Sequence, residues 1–319
     1  MRGVIAVDLG ATRTRVALVG DGGTVHRRIE EETRTDGGSP GSIAASLIAL
    51  VRRLLHEQGG AEVDGIGVSA AGPVDIARGV VTNPPNIPVR EIPVVGPLTK
   101  AFDLPVHLVN DCHAGLLGEM QFGIGRGRDN VVYITISTGI GGGVIDNGRI
   151  LLGRGGNAAE IGHFVVDTKY GMECGCGHTG HWEGYASGRF LPRFFGHWCR
   201  IQGERRDTGF TNAEGIFAAA TGGDPRALAF MEELGRINAK GISNVIVAYD
   251  PSLIVLDGAV ARMNRRFIIP PILEHVDRFL PMPEMLVTAL DGDAPLLGAS
   301  LVARGYDTSF GSFRRPRSG

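Results

Sequence analysis

Between residues 160 and 183 the chain gathers Glu160-Ile161-Gly162-His163 and, after a gap of ten residues, Cys174-Gly175-Cys176-Gly177-His178-Thr179-Gly180-His181-Trp182-Glu183. This window holds two of the four cysteines and three of the nine histidines. Thiolate and imidazole donors at such spacing suit a tetrahedral zinc ion, with His163, Cys174, Cys176 and His181 as ligands. Four protein ligands leave no place for a reactive water, so the metal is expected to be structural. The flanking carboxylates Glu160 and Glu183 are then available for another task.

Two further segments resemble each other in chemistry. Asp8-Leu9-Gly10-Ala11-Thr12-Arg13-Thr14 and Ser137-Thr138-Gly139-Ile140-Gly141-Gly142-Gly143 each put small residues and hydroxyls at a turn. Exposed backbone N–H groups in such a turn wrap an anionic oxygen, and threonine hydroxyls add donors. Arg13 supplies a cation, and Asp8 at a strand end suits a Mg²⁺ ion held through water. A single turn of this kind reads equally as an ordinary hairpin. Two of them, one with an Asp, favour a clamp for nucleotide phosphates. Asn110-Asp111 has two readings as well: Asp111 as the N-cap of a following helix, or as a general base facing a substrate hydroxyl.

The elements that must carry these residues follow from the apolar pattern. Residues 3–9 read as a buried strand, 15–19 and 24–29 as its hairpin partners, 43–55 as a helix, and 63–68 and 106–108 as further strands. Five prolines in 83–97 predict an ordered surface loop without regular structure. After a helix at 114–122 the strand–turn–strand pattern restarts at 130–136, 142–145 and 149–152, with a hairpin turn at Asp146-Asn147-Gly148. That repetition is explained by two similar halves meeting at a cleft, or by coincidence between common hairpins. A helix at 224–247, a strand at 253–256, a helix at 295–304 and a disordered tail from 308 complete the reading.

Composition narrows the function. The 319 residues allow two domains, and 43% hydrophobic with 21% charged residues is ordinary for a globular protein. A net charge of −2 gives no drive toward nucleic acid or anionic membrane. No apolar run reaches the ~18 residues of a spanning helix. Few cysteines, half of them in a metal-like cluster, suit a reducing cytoplasm. None of Lys100, Lys169 and Lys240 follows a glycine, which excludes a P-loop. The dinucleotide pattern at Gly175, Gly177 and Gly180 is set aside, because cysteines interleave it and no buried strand precedes it.

Taken in order, Asp8-x-Gly10-x-Thr12, Asn110-Asp111, Ser137-Thr138-Gly139-x-Gly141, Glu160-x-Gly162-His163 and Cys174-x-Cys176-x-x-x-Gly180-His181-x-Glu183 resemble the ROK family of kinases and regulators, from residue 4 to about 303. The resemblance implies an α/β fold of two ribonuclease-H-like (actin-like ATPase) domains, with ATP and a sugar in the interdomain cleft. The expected division is residues 1–112 plus a C-terminal helix at about 295–306, then 113–294, with 307–319 as a tail. Asp111 resembles the base acting on the sugar 6-hydroxyl. Asn86, Asn110, Glu160, His163 and Glu183 match sugar ligands. Gly10, Thr12, Arg13, Thr138 and Gly139 match the phosphate loops, and Gly258 the adenosine region. Zinc would then aim His163 at a sugar hydroxyl.

Three departures from the family pattern stand out. His181 replaces a third cysteine, and His178 is an alternative fourth ligand. Ile87-Pro88-Val89-Arg90 follows Asn86 where family glucokinases carry Gly-Trp, and the adenosine motif reads Leu256-Asp257-Gly258-Ala259-Val260. The reading is an ATP- and Mg²⁺-dependent hexokinase with glucose as first candidate, cytoplasmic, possibly homodimeric, with neither nucleic acid nor membrane as partner. The family's regulators carry a helix-turn-helix ahead of the first phosphate motif, and the position of Asp8 at the start of the chain speaks against that alternative.

Overall fold

The computed structural model describes residues 2–33, 40–59, 61–84, 87, 89–203 and 209–306. The expected tail at 307–319 and the expected sugar ligand Asn86 lie outside them. In chain order, strands β1 (Arg2–Leu9), β2 (Arg13–Val19) and β3 (Val25–Glu32) lead to helix α1 (Pro40–Glu57) and strand β4 (Glu62–Ala70). Short strands β5 (Val74–Asp75), β6 (Val80–Thr82) and β7 (Glu91–Pro93) precede α2 (Val95–Phe102), β8 (Val106–Asn110) and α3 (Asp111–Phe122). Strands β9 (Val131–Ile136), β10 (Ile140–Asp146) and β11 (Arg149–Ile150) follow. Helices α4 (Glu183–Ala186), α5 (Leu191–Ile201), α6 (Ala213–Thr221) and α7 (Pro225–Tyr249) come next. The described chain closes with β12 (Leu253–Asp257), α8 (Ala259–Met263), α9 (Arg265–His275), β13 (Glu284–Val287) and α10 (Ala294–Ala303).

The chain divides into two compact units. The first comprises residues up to 129, 143–158 and from 289 onward, and the second comprises 130–142 and 159–288. In this division α3 belongs with the first unit, whereas the sequence places a boundary after residue 112. The reason is packing, since α3 lies against α10 through glycine contacts.

Both five-stranded sheets have the same strand order, β3–β2–β1–β4–β8 and β11–β10–β9–β12–β13. In the first, β1 pairs antiparallel with β2 and parallel with β4, and β4 pairs parallel with β8. In the second, β10–β11 is antiparallel while β9–β12 and β12–β13 are parallel. The repeated strand–turn–strand pattern is therefore a repeated topology. Asn147 and Gly148 both have positive φ (48° and 74°), as a two-residue hairpin turn of the primed type requires.

The proline-rich stretch departs from the expectation of a surface loop. Strand β7 pairs with β6, and Ile92, Val94 and Val89 are buried in the first unit's core. Pro93 ends its strand and Pro97 lies in the first turn of α2, where a missing N–H costs no hydrogen bond. Strand β13 is a further element that the apolar pattern did not mark, because Glu284 and Leu286 on one face are exposed and Met285 and Val287 on the other are only half-buried.

One face of the first sheet is covered by α1 through Leu47, Leu50, Val51 and Leu54. The other receives α10, whose Leu296, Leu297, Ala299 and Ala303 meet Val4, Ala6, Ala17 and Val19. Helices α3 and α10 approach so closely that a Cβ added at Gly298 would lie 1.8 Å from the Ala114 carbonyl oxygen. A paired substitution tests this. Gly→Ala within a helix ordinarily stabilises by about 0.5–1 kcal/mol; Gly96→Ala in α2, where nothing lies within 4 Å of the added Cβ, should change stability by less than that, because the residue before Pro97 is disfavoured in the helical region. Gly298→Ala should reverse the ordinary sign, losing about 1–3 kcal/mol through overpacking against backbone. Urea unfolding of the two variants beside the parent chain measures both.

Candidate active site

In the first unit, β1, β4 and β8 run parallel and end together, with Asp8 beside Ser69 and Ala70 beside Asn110 in register. Carboxyl ends of parallel strands are where α/β sheets present their functional loops. Asp8 is 8% exposed, and both of its oxygens are engaged. Arg15 donates to Oδ2 through Nε (3.0 Å) and Nη2 (2.7 Å), and the Ser69 hydroxyl donates to Oδ1 at 3.1 Å. Arg15 also donates to Asp293 Oδ1 at 3.2 Å, and Asp293 in turn pairs with Arg28. Burial pulls the Arg15 guanidinium down, but the carboxylates of Asp8, Asp293 and Glu30 together outweigh it and the net shift is upward.

The turn after β1 is held by its own backbone. Gly10 N–H donates to the Arg13 carbonyl (3.0 Å), the Thr33 hydroxyl donates to the Gly10 carbonyl (2.7 Å), and Thr33 N–H donates to the Thr12 carbonyl (2.9 Å). Thr12 and Arg13 face solvent. Arg13 reaches Glu30 at 2.6 Å, an exposed pair of small energetic worth that leaves the guanidinium movable.

The structure separates the two readings of Asp111. Asn110 is the N-cap of α3, its Oδ1 accepting from the N–H groups of Cys112 (2.9 Å) and His113 (3.3 Å). Asp111 is the first helical residue, and its Oδ1 shares the Cys112 N–H at 2.9 Å. Since Asn110 Oδ1 is committed to the cap, its Nδ2 is the group left to reach a ligand.

Two residues on, His113 is fully buried and its Nε2 lies 3.2 Å from the Ala158 carbonyl. Burial pulls its imidazole down to about 4, opposed only by that hydrogen bond. The unfolded chain therefore binds the extra proton between about pH 6.5 and 4, and the folded chain does not. Stability should fall as pH drops through that window, by roughly 3 kcal/mol in total. His113→Gln should flatten the slope, which urea midpoints measured from pH 7 to 4 on both proteins will show.

In the second unit the Ser137–Gly141 turn is tied from two sides. Ser137 N–H donates to the Gly139 carbonyl (2.9 Å), and Gly188 and Arg189 donate to the Ser137 and Thr138 carbonyls (2.7 and 3.4 Å). Ile140 N–H donates to Glu183 Oε2 at 2.9 Å. Thr138 is exposed, and Gly139 is tight against Glu183 Oε2, where a Cβ would come within 2.6 Å. At the end of β12, Gly258 has φ +87° and an added Cβ would meet the Ile136 carbonyl at 2.4 Å, so no other residue fits. Buried Asp257 before it accepts from the Tyr133 hydroxyl (2.8 Å) and from Gly258 N–H (2.6 Å).

The Cys/His window folds as a knuckle. Cys174 N–H donates to the His178 carbonyl and Gly177 N–H to the Cys174 carbonyl (2.8 and 3.0 Å). His163, Cys174, Cys176 and His181 come together with ligand atoms all within 4.8 Å of one another. His178 is not in this group, so His181 is the fourth member. His163 Nδ1 and His181 Nδ1 are 3.3 Å apart, Cys174 Sγ is 3.8 Å from His163 Nδ1, and Cys176 Sγ is 3.2 Å from His181 Nδ1. Tetrahedral zinc would set edges of about 3.3 Å between nitrogens and about 3.6 Å between nitrogen and sulfur, so the donor set fits. Burial pushes the Cys174 thiol up to about 12, so a metal ion bound at the cluster would have to displace its proton.

The knuckle is anchored by Trp182, whose Nε1 donates to Asn238 Oδ1 on α7 (2.8 Å), and by Asp167, which accepts from the Tyr185 hydroxyl (2.8 Å) and Tyr170 N–H (2.7 Å). His163 turns Nδ1 to the cluster and Nε2 toward Glu160 Oε2, 3.9 Å away. Burial raises the Glu160 carboxyl, with His163 opposing and Glu183 reinforcing the shift. Glu183 Oε1 lies 3.7 Å from Cys174 Sγ.

Residues 4–305 match the ROK family. The chain belongs to the ROK family. Among ROK relatives it is 35% identical to a glucokinase of Pyrobaculum calidifontis, over 98% of this chain and 99% of that protein. It is 36% identical to a glucokinase of Aeropyrum pernix, over 95% and 97%. A crystal structure of a ROK family glucokinase from Streptomyces griseus, in complex with glucose and AMPPNP, superposes with a TM-score of 0.80 at 32% identity, covering 95% of this chain and 99% of that one. The fold is that of the ROK glucokinases, the α/β actin-like ATPase type. No helix among the described residues is long and apolar enough to cross a membrane.

Sequence reasoning missed Arg15 and Asp293. Arg15 was legible in principle: alternation along 13–19 places it opposite Asp8 across the hairpin, on the same face of the sheet.

Proposed function

We propose that this protein is an ATP-dependent glucokinase that transfers the γ-phosphate of ATP to the 6-hydroxyl of glucose. The observation that carries the reading is the second unit's wall of Glu160, His163 and Glu183, built around the Cys/His cluster and bonded to the Ser137–Gly141 turn. Carboxylates and a fixed imidazole accept and donate to vicinal hydroxyls, which a purely nucleotide-binding protein would not need. The full-length likeness to ROK glucokinases supports the same reading.

In this proposal Asp111 takes the proton of the 6-hydroxyl as phosphoryl transfer proceeds. Asn110 Nδ2, Glu160, His163 and Glu183 hold the other hydroxyls, with Asn86 as a further ligand. Gly10, Thr12 and Arg13 in one turn and Thr138 and Gly139 in the other bind phosphate oxygens through N–H, hydroxyl and guanidinium groups. Gly258 gives the adenosine room to approach the backbone at the end of β12. A Mg²⁺ ion bound with the nucleotide would neutralise phosphate charge, and Asp8 suits it through water on Oδ1, because Arg15 occupies Oδ2. His163, Cys174, Cys176 and His181 would hold a structural Zn²⁺, leaving His163 Nε2 aimed outward. Four free cysteines agree with a cytoplasmic protein.

The test is product analysis. Purified protein with ATP and Mg²⁺ should form glucose 6-phosphate and ADP in equal amounts, and faster than with mannose, fructose, glucosamine or N-acetylhexosamines. ADP formation that glucose does not stimulate would overturn the proposal.

A further inference from the structure

The Ser137–Gly141 turn and the Cys/His knuckle are joined by one side chain. Glu183 Oε2 accepts from Ile140 N–H at 2.9 Å, and its other oxygen lies 3.7 Å from Cys174 Sγ. The side chain is 8% exposed and opens α4 only two residues after His181. Gly139 is packed against Oε2 so tightly that no side chain fits between turn and carboxylate. The chain leaving α4 returns to the same turn, with Gly188 N–H on the Ser137 carbonyl at 2.7 Å and Arg189 N–H on the Thr138 carbonyl at 3.4 Å. Trp182, between His181 and Glu183, donates to Asn238 on α7, so the freedom the segment keeps is shared by its two neighbours, the cluster member His181 and Glu183.

From this we infer that Glu183 is a positioning residue for the phosphate turn, and that occupancy of the Cys/His cluster by a metal ion and binding of nucleotide at the Ser137–Gly141 turn are thermodynamically coupled through it. The inference rests on the glucokinase reading, because it needs nucleotide phosphate at that turn. A metal ion would fix His181, two residues before Glu183 in the chain, and Cys174, whose Sγ lies beside Glu183 Oε1. A fixed Glu183 holds Ile140 N–H, and hence the whole turn, in the arrangement that presents Thr138 and Gly139 to phosphate. Without the ion the knuckle and carboxylate relax together, and nucleotide must order them on binding. Linkage then requires the reverse effect, since nucleotide must tighten the metal by the same factor.

Calorimetric titration with AMPPNP and Mg²⁺, in the absence of sugar, tests this without reference to turnover. Zinc-loaded protein should bind AMPPNP about tenfold more tightly than chelator-stripped protein, within the ordinary range of such coupling. Titration of the stripped protein with Co²⁺, followed by its visible absorption, should show the same factor when AMPPNP is present. Glu183→Ala in the zinc-loaded form should lose nucleotide affinity by a similar factor, and Glu183→Gln, which keeps an acceptor for Ile140 N–H, should retain most of it. The two variants carry the test if the stripped protein does not hold its fold by circular dichroism.

Equal AMPPNP affinity in loaded parent, stripped parent and Glu183→Ala overturns the coupling and leaves the kinase reading standing. So does an Ala variant that matches the parent when stripped protein is unfolded. Absence of AMPPNP binding to the loaded parent overturns both.

Discussion

Replacing Asp111 with Asn should lower kcat for glucose phosphorylation by about 10²- to 10⁴-fold, the usual contribution of a positioned general base. Glucose affinity, measured by calorimetry, should stay close to that of the parent chain, because the amide keeps the shape and one acceptor oxygen. The structure makes this a clean substitution. Asn110 accepts from the N–H groups of Cys112 and His113, and Asp111 only shares the first of them, through an oxygen of the kind the amide retains, so the helix start survives the change. The complementary variant, Asn110→Ala, should instead cost about 1 kcal/mol of stability through loss of the cap. Near-normal turnover in Asp111→Asn would remove this residue from the chemistry.

Removing the metal should act on sugar recognition and on local stability together. The protein purified from zinc-containing medium should hold about one zinc per chain by elemental analysis, and Cys174→Ala should lower that content. In the stripped or substituted protein, glucose affinity should fall by roughly tenfold to a hundredfold, the size of one or two lost charge-assisted hydrogen bonds. His163 points Nδ1 into the cluster and Nε2 toward Glu160, so its aim depends on the cluster. Thermal melting should shift down less than for a small zinc module, since Trp182 and Asp167 still tie the segment to the second unit's core. Unchanged glucose affinity in protein shown to lack the metal would disconnect the cluster from sugar binding.

Much of this was legible in the residues, and the exceptions have physical causes. The central strands β1 and β9 are buried apolar runs, and Asn147-Gly148 demands a primed turn, so both halves showed themselves. The four cluster members were identifiable because thiols and imidazoles have few other reasons to gather so closely. The proline-rich stretch misled because proline content forbids interior helix and central strand, yet permits the strand end at Pro93 and the helix start at Pro97. The cap of α3 was weighed as one of two readings for Asp111 and falls to its neighbour Asn110, since Asn and Asp serve equally well and stand side by side there. Arg15 and Ser69 contact Asp8 from 7 and 61 residues away, and Asp293 contacts Arg15 from 278 residues away, the last two far beyond any local pattern. Glu183 read as a sugar ligand by motif, but its hydrogen bond to Ile140 is a tertiary fact with no local signature.

The contact of Asp293 with Arg15, and the seating of α10 on β1 between the glycines of its neighbours, fix an order of events during synthesis. Strands β1–β4 and β8 leave the ribosome first, but the face of their sheet on which α10 sits lacks that cover until residues 294–303 emerge. The second unit, residues 130–142 and 159–288, has all of its sequence available earlier. The half of the protein made first is thus the half completed last, and a nascent chain stalled short of Asp293 would present an open apolar sheet to the chaperones of the cell.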